Sequence, residues 1–139
     1  MPRLIGCEIV AGPVPEERTP WREMLIARGS HGRLWLAHRQ IPTGNVFGSL
    51  RLAGADEMLG LADMLSAVIS ADDDLAVGPA PLRCGTSVIA SVRQQTDGQL
   101  VIQLSGQTKR GVGVGWLYGS PQAAAGLRRL LRDGAAALS

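Results

Sequence analysis

The sequence has few cysteines, histidines, lysines and aromatic residues, and each shortage excludes a class of site. Cys7 and Cys84 are too few and too far apart in the chain for a disulfide framework or a zinc site. His31 and His38 have no recognised ligand spacing, and no glutamate is placed to complete a metal site. No acid/base pair is predicted on one face. We therefore expect no metal, no cofactor and no enzymatic activity.

Charge and hydropathy indicate a folded protein outside the membrane. Lys109 is the only lysine among the 14 cationic residues, and the formal net charge is +2. An arginine bias of this kind follows from a GC-rich genome as well as from phosphate binding, and the charge alone does not require nucleic acid. No apolar run approaches the roughly 18–20 residues of a membrane span, and the N-terminus lacks a signal-peptide pattern. We expect a cytoplasmic protein.

An internal duplication organises the chain. When the sequence is shifted by 66 residues, turn glycines meet turn glycines and alternating aliphatic residues meet each other. The helical apolar stripes also coincide, so we predict one domain over 1–139 with repeat one at 1–69 and repeat two at 70–139. The matching stretches are "AGPVP" (11–15) with "VGPAP" (77–81), "SHGRL" (30–34) with "TDGQL" (96–100), and "GLADML" (60–65) with "GLRRLL" (126–131).

Each repeat is predicted to be a ββββα unit, which makes the fold class α+β. The first strand is expected to end at a Gly-Pro-x-Pro turn, because proline lacks the N–H that a strand ladder needs. A hairpin with a glycine turn, a fourth strand and an amphipathic helix follow. The predicted elements are strands at 4–11, 22–28, 33–39 and 46–52 with a helix at 55–69, then strands at 74–78, 87–94, 99–105 and 112–118 with a helix from Ser120-Pro121 onward.

Gly60 and Gly126 occupy the same place in the two predicted helices. A glycine inside a helix costs about 1 kcal/mol relative to alanine, so a matched pair suggests a packing reason. We predict a close approach of two elements there, about a pseudo-twofold axis. The alternative is two independently tolerated glycines.

The tandem of ββββα units resembles the PUR-domain family and, more distantly, the whirly and transcriptional-coactivator class of single-strand binders. The residues that carry the resemblance are "VIASVRQQTDGQLVIQL" (88–104) and "VGWLYGSPQAAAGLRRLL" (114–131). The resemblance implies an intramolecular pseudo-dimer of two intertwined units, with each antiparallel sheet covered by a helix. It also implies that the outer sheet faces meet single-stranded DNA or RNA.

Alternation along the strands places Leu34, Leu36 and their counterparts Leu100, Ile102 and Leu104 inward. Trp35 then faces outward among arginines, as in proteins that stack a base on an aromatic ring and hold phosphates with cations. On the second unit, alternating glycines 111, 113 and 115 predict a flat outer strip. The predicted nucleic-acid-binding residues are Arg33, Trp35, Arg39, Arg51, Arg93, Gln103, Lys109 and Arg110.

A second interpretation stays open for the same surface. A flat, weakly charged sheet face with an exposed Trp35 and Leu117 also suits a protein-protein interaction or assembly module without nucleic-acid binding. A homodimer is compatible with either interpretation.

Overall fold

The structure, a computed structural model, describes residues 7–16, 19–111 and 113–139. Within them the chain forms two successive groups of four strands and one helix, as the duplication predicts. The first group is β1 (Glu8–Glu16), β2 (Thr19–Arg28), β3 (Leu34–Gln40), β4 (Val46–Leu52) and α1 (Ala55–Ile69), and the second is β5 (Leu75–Pro81), β6 (Ser87–Gln94), β7 (Leu100–Gln107), β8 (Gly113–Tyr118) and α2 (Pro121–Ala137).

Each group of strands makes its own antiparallel sheet in sequence order, so the first sheet is β1-β2-β3-β4 and the second is β5-β6-β7-β8. The central hairpins share one register, because Arg28 pairs with Leu34 in the first sheet and Gln94 pairs with Leu100 in the second. The predicted α+β fold of two ββββα repeats is therefore confirmed. The predicted hairpin strands lie within two residues of the observed ones, except that β2 begins at Thr19, three residues earlier than predicted.

The helices are exchanged between the units. α1 packs on β5, β6 and β7, whereas α2 packs on β1 and β2, and the two helices pack on each other. The contacts repeat with the 66-residue shift: Leu130 of α2 lies against Gly12 of β1, and Met64 of α1 lies against Gly78 of β5. Each sheet is thus covered by the helix of the other unit, which makes the chain an intertwined pseudo-dimer.

One hydrophobic core joins the inner faces of both sheets to the helices. The inward positions predicted from alternation, Leu34, Leu36, Ile102 and Leu104, are buried. The helical stripe predicted at 3/4 spacing is also buried, at Met58, Leu61, Leu65 and Val68 of α1. Full burial of each such side chain contributes about 1.5–3 kcal/mol, so exchange of the helices adds stability that neither unit has alone.

The prediction that the first strands end at the Gly-Pro-x-Pro turns was wrong. β1 continues through Pro13 to Glu16, and β5 continues through Pro79 to Pro81. The register shifts between Ala11 and Val14 in β1, and likewise between Val77 and Ala80 in β5. Both strands lie at sheet edges, where a proline at an irregularity removes no ladder hydrogen bond. Residues 4–6 of the first predicted strand lie outside the described part of the chain.

The close approach predicted at Gly60 and Gly126 was also wrong. A Cβ built on either glycine would meet no other atom within 4 Å. The tight contact is at Gly134, where a Cβ would lie 2.5 Å from Ile26 Cδ1 and 3.1 Å from Met58 Sδ. Because α2 packs on the first sheet, it is the turn containing Gly134 that faces β2.

Candidate nucleic-acid interface

The outer face of the first sheet, on the side away from the helices, is largely buried. Leu25, Ala27 and Ala37 face outward by alternation, yet each is at most 1% exposed. Trp35, which pairs with Ala27 on one side and Arg51 on the other, is half-buried. The face predicted to stack bases therefore offers Trp35 only in part.

The arginines of this sheet differ in whether a neighbouring carboxylate balances their charge. Arg39 makes two hydrogen bonds to Glu23 Oε1, at 2.8 and 2.5 Å, and both side chains are mostly buried. The charge of Arg39 is thus matched by a carboxylate on the neighbouring strand. Arg33, in the turn before β3, and Arg51, on β4, are exposed. These two remain open to a phosphate.

Trp21 is the exposed tryptophan of the first sheet, and it is not among the residues predicted from the sequence. Trp21 is 53% exposed, and its carbonyl oxygen accepts a hydrogen bond from the amide of Ile41 at 2.9 Å. The predicted strand began at residue 22, which left Trp21 outside the sheet. The hairpin register contained the signal, since pairing of Arg22 with Gln40 places Trp21 opposite Ile41.

The outer face of the second sheet is open. Leu117 is 64% exposed and Ile89 is 39% exposed, and their strand neighbours are serine, glutamine and glycine. No carboxylate is present among the outward residues of β6, β7 and β8 that the structure describes. This surface, called the open face below, consists of Ser87, Ile89, Ser91, Arg93, Val101, Gln103, Ser105, Gln107, Gly113, Gly115 and Leu117.

Only two of the three glycines that were predicted to form a flat outer strip lie on the strand. Gly113 and Gly115 lie on β8, but Gly111 lies in the preceding turn with a φ of 79°. Gln103 pairs with Leu117, and its Nε2 lies 3.7 Å from the position of a Cβ on Gly115. The Gln103 amide thus lies beside Gly115, where an incoming hydrogen-bonding group can reach it.

Segments of both units that carry exposed cations come close together at one end of the open face. The Cys84 thiol donates a hydrogen bond to the carbonyl oxygen of Arg51 at 3.2 Å, and Cys84 lines an open pocket of about 610 Å³ with Lys109 and Arg110. Arg83 precedes Cys84 and is exposed. This region, the cationic corner, consists of Arg51, Arg83, Lys109 and Arg110.

A carboxylate also lies near the corner. Glu57 accepts hydrogen bonds from the backbone amides of Ala53 and Arg83, at 2.7 and 2.8 Å. Its oxygens are occupied by the backbone, and the four cations of the corner exceed its single charge. The corner is therefore electropositive.

The structure brings together some predicted site residues and separates others. The Arg51 backbone contacts Cys84, which lines one pocket with Lys109 and Arg110, although Arg51 belongs to the other unit. Arg93 lies at the far end of β6, about 20 Å from Ser87 at 3.3 Å per residue. The predicted residues thus mark a path from Trp35 and Arg51, through the corner, along the open face to Arg93.

A cleft opens where β8 passes the β1–β2 end of the first sheet. Its volume is about 480 Å³, and residues of both units line it. Glu16 and His38 form a pair inside it, with Nδ1 2.5 Å from Oε1 and side chains only 12% and 8% exposed. The His38 ring stacks on Trp116, with ring centroids 4.7 Å apart.

Two opposing effects act on the pKa of Glu16. Burial alone raises this pKa, but hydrogen bonds from His38 and Thr19 and the charges of His38 and Arg22 outweigh it. The pKa of the carboxyl is consequently held below its usual value of 4.5. Glu16 is ionised at neutral pH and stays paired.

Two other kinds of site are not seen in the described ranges. No group of three or more His, Cys, Asp or Glu residues among them could hold a metal ion. Likewise, in the described part of the chain no helix combines the length and apolarity that crossing a membrane requires. Comparisons with protein-family models, curated proteins and solved structures gave no match to this chain.

Proposed function

We propose that this is a cytoplasmic protein that binds single-stranded DNA or RNA with low sequence specificity, and that it acts by binding rather than by catalysis. The observation that carries the proposal is the open face: its described residues on β6, β7 and β8 include no carboxylate, and exposed cations lie at both ends, with Asp74 beside Arg93 at one of them. Among the described outward residues of these three strands, a polyanion meets no carboxylate. The exchanged ββββα architecture supports the proposal through its resemblance to the PUR-domain family.

Phosphates would lie at the cationic corner. Exposed Lys109 and Arg110 belong to a turn rather than to a strand, so their side chains can follow a flexible backbone. Contacts of this kind release counterions, and each one contributes about 0.7 to the salt slope of single-strand binding. Arg93 at the opposite end would hold a second phosphate group.

Bases would lie on the open face and beside Trp35. Leu117 and Ile89 offer apolar surface, and the Gln103 amide offers a donor and an acceptor to base edges. Trp35 is half-buried, so its contribution is smaller than the roughly 1–3 kcal/mol of a fully available stacking platform. Apolar and stacking contacts are sequence-tolerant and a single Gln103 amide reads at most one base, which accounts for low specificity.

The test is fluorescence anisotropy with a labelled single-stranded oligonucleotide at several salt concentrations. The double variant Lys109→Gln/Arg110→Gln should reduce the slope of log K against log salt by about 1.4. The matched control is Arg129→Gln/Arg132→Gln on α2, which removes the same charge from exposed positions elsewhere and should leave the slope unchanged. Absence of binding by the wild-type protein at low salt would refute the proposal, as would equal slopes for both double variants.

The exposure of Leu117 and Ile89 also favours a second candidate, a protein-assembly module that buries the open face against another subunit. Light scattering distinguishes it from the first. A stable oligomer that Leu117→Glu dissociates, together with no oligonucleotide binding, would support assembly. A monomer that binds oligonucleotide would support the first candidate.

A further inference from the structure

Two arginines of α2 converge on one serine hydroxyl of α1. Arg128 Nη1 donates a hydrogen bond to Ser66 Oγ at 3.2 Å, and Arg132 Nη2 donates to the same oxygen at 3.3 Å. The arginines lie one helical turn apart on α2, and Ser66 lies in the last turn of α1. Arg132 is exposed, whereas Arg128 and Ser66 are half-buried. These three residues are called the helix seam below.

The helix seam lies at the pseudo-twofold axis. Ser66 and Arg132 are equivalent positions under the 66-residue shift, and two residues related by a twofold axis contact each other only close to that axis. The counterpart of Arg128 on α1 is Ala62. One repeat therefore has alanine and serine where the other has two arginines. The duplicated architecture does not by itself require cations at these positions.

The charges of the two arginines are not balanced within the described residues. Neither arginine forms an ion pair with a carboxylate of those ranges. Asp63, three residues before Ser66, and Asp133, next to Arg132, are the nearest carboxylates in sequence, and neither pairs with them. The serine hydroxyl accepts hydrogen bonds but offsets no charge. An anion placed between the two guanidinium groups would offset both.

The donors of the helix seam match a terminal phosphate. Each guanidinium presents several N–H groups, and within the described part of the chain the Ser66 hydroxyl hydrogen has no acceptor. A phosphate with at most one ester bond has three strong acceptor oxygens and a charge of about −1.5 to −2 at pH 7. Three donor groups with two positive charges complement it. A phosphodiester has one charge and two such oxygens, so a nucleic-acid strand matches the helix seam less well.

We propose that the helix seam binds the terminal phosphate group of a small molecule, either inorganic phosphate or a phosphate monoester. Arg128 and Arg132 hold the phosphate oxygens, and the Ser66 hydroxyl turns to donate to it. Because the serine and the arginines belong to different helices, bound phosphate joins α1 to α2 and stabilises the exchanged arrangement. The inference does not depend on the proposed function, since the helix seam belongs to the helices and the open face lies on the side away from them.

Calorimetry at low ionic strength tests the site, with inorganic phosphate, phenyl phosphate and dimethyl phosphate as probes. Inorganic phosphate should bind the wild-type protein at least about tenfold more tightly than dimethyl phosphate, which is a diester. Arg128→Gln/Arg132→Gln should remove phosphate binding, and Arg132→Gln alone, at an exposed position that leaves the fold intact, should weaken it at least about fivefold. Ser66→Ala should weaken it less. The control Arg129→Gln removes the same charge from a neighbouring exposed position and should keep the wild-type affinity.

Thermal unfolding is the second readout. Phosphate should raise the unfolding temperature of the wild-type protein more than that of Arg132→Gln, each compared with chloride at equal ionic strength. Equal rises would show a general salt effect and would overturn the stabilising role.

Three results of the calorimetry decide the inference. No binding of inorganic phosphate at millimolar concentration, or equal affinity of the wild type and the double variant, would overturn it. Dimethyl phosphate that binds as tightly as inorganic phosphate would overturn the assignment to a terminal phosphate. Binding of phenyl phosphate as well as inorganic phosphate would assign the site to monoesters, and binding of inorganic phosphate alone would assign it to the free ion.

Discussion

The two outer sheet faces have the same topology and nearly opposite surfaces. On the first sheet Leu25, Ala27 and Ala37 are buried and Arg39 is paired with Glu23. On the second sheet the equivalent positions are serine, glutamine and arginine, and Asp74 lies beside the serine and the arginine at one end. The duplication therefore supplies the fold twice, but the described residues form an open outer face on the second sheet only.

The largest expected change in the free energy of unfolding comes from alanine substitution at Gly78 of β5, compared with the same substitution at the equivalent Gly12 of β1. Both have a positive φ, of 110° and 86°. A Cβ would lie 2.6 Å from the Val88 carbonyl oxygen at Gly78, but 3.0 Å from that of Met24 at Gly12. Gly78→Ala should lower the free energy of unfolding by about 2–4 kcal/mol, and Gly12→Ala by less. Urea denaturation measures both, and the reverse order would contradict the comparison.

The next largest change in stability tests whether α2 packs on the first sheet. Gly134→Ala places a methyl group against Ile26 and Met58, whereas Gly126→Ala on the same helix meets open space. The first should be less stable than the second by about 1–3 kcal/mol, while Gly126→Ala itself should stabilise by up to about 1 kcal/mol. Thermal or urea unfolding of the pair gives this difference. Equal stabilities would mean that α2 does not pack on the first sheet at Gly134.

A smaller effect tests the open face itself. Leu117→Glu introduces a carboxylate at an exposed position and should weaken oligonucleotide binding about tenfold by repulsion of phosphates. Leu59→Glu is the matched control, because Leu59 is 45% exposed on α1. Both variants should keep the wild-type stability within about 0.5 kcal/mol. Equal loss of affinity in the two variants would indicate a general charge effect rather than contact at the open face.

The smallest effect is the pH dependence that Glu16 contributes. Its pKa is lowered in the folded state, so it stabilises the fold above its ordinary pKa of 4.5 and this contribution is lost as pH falls through the folded pKa. The free energies of unfolding of wild type and Glu16→Gln should therefore differ at pH 7 and converge below pH 4.5. A difference that stays constant from pH 7 to pH 3 would show that the carboxylate charge is not involved.

Much of the fold was predictable because its signals are local. The period of Met58, Leu61, Leu65 and Val68 predicted α1 with its observed bounds, and glycine turns predicted both hairpins. The continuation of β1 and β5 through proline could not be predicted from the residue type alone. A strand accepts proline when it lies at a sheet edge, and the sequence does not show which strands lie there. The site of close helix packing at Gly134 depends on the helix exchange, which only the family resemblance implied.

The candidate site was predictable residue by residue but not as a surface. Alternation placed Leu25 and Arg39 outward, yet alternation carries no information on what covers a face or neutralises a charge. The Arg39–Glu23 pair could have been found from the hairpin register, which places the two residues opposite each other. The meeting of Arg51 with Lys109 and Arg110 could not, because it depends on how the two units dock.

The most direct test of the central claim is an amide NMR titration with a short single-stranded oligonucleotide. If binding uses one face only, chemical shifts should change at Gln103, Gly115 and Leu117 and at the corner residues Lys109 and Arg110. The amides of Leu25 and Ala37 on the first sheet should stay unchanged. Shift changes confined to the first sheet, or none at a saturating oligonucleotide concentration, would contradict the account.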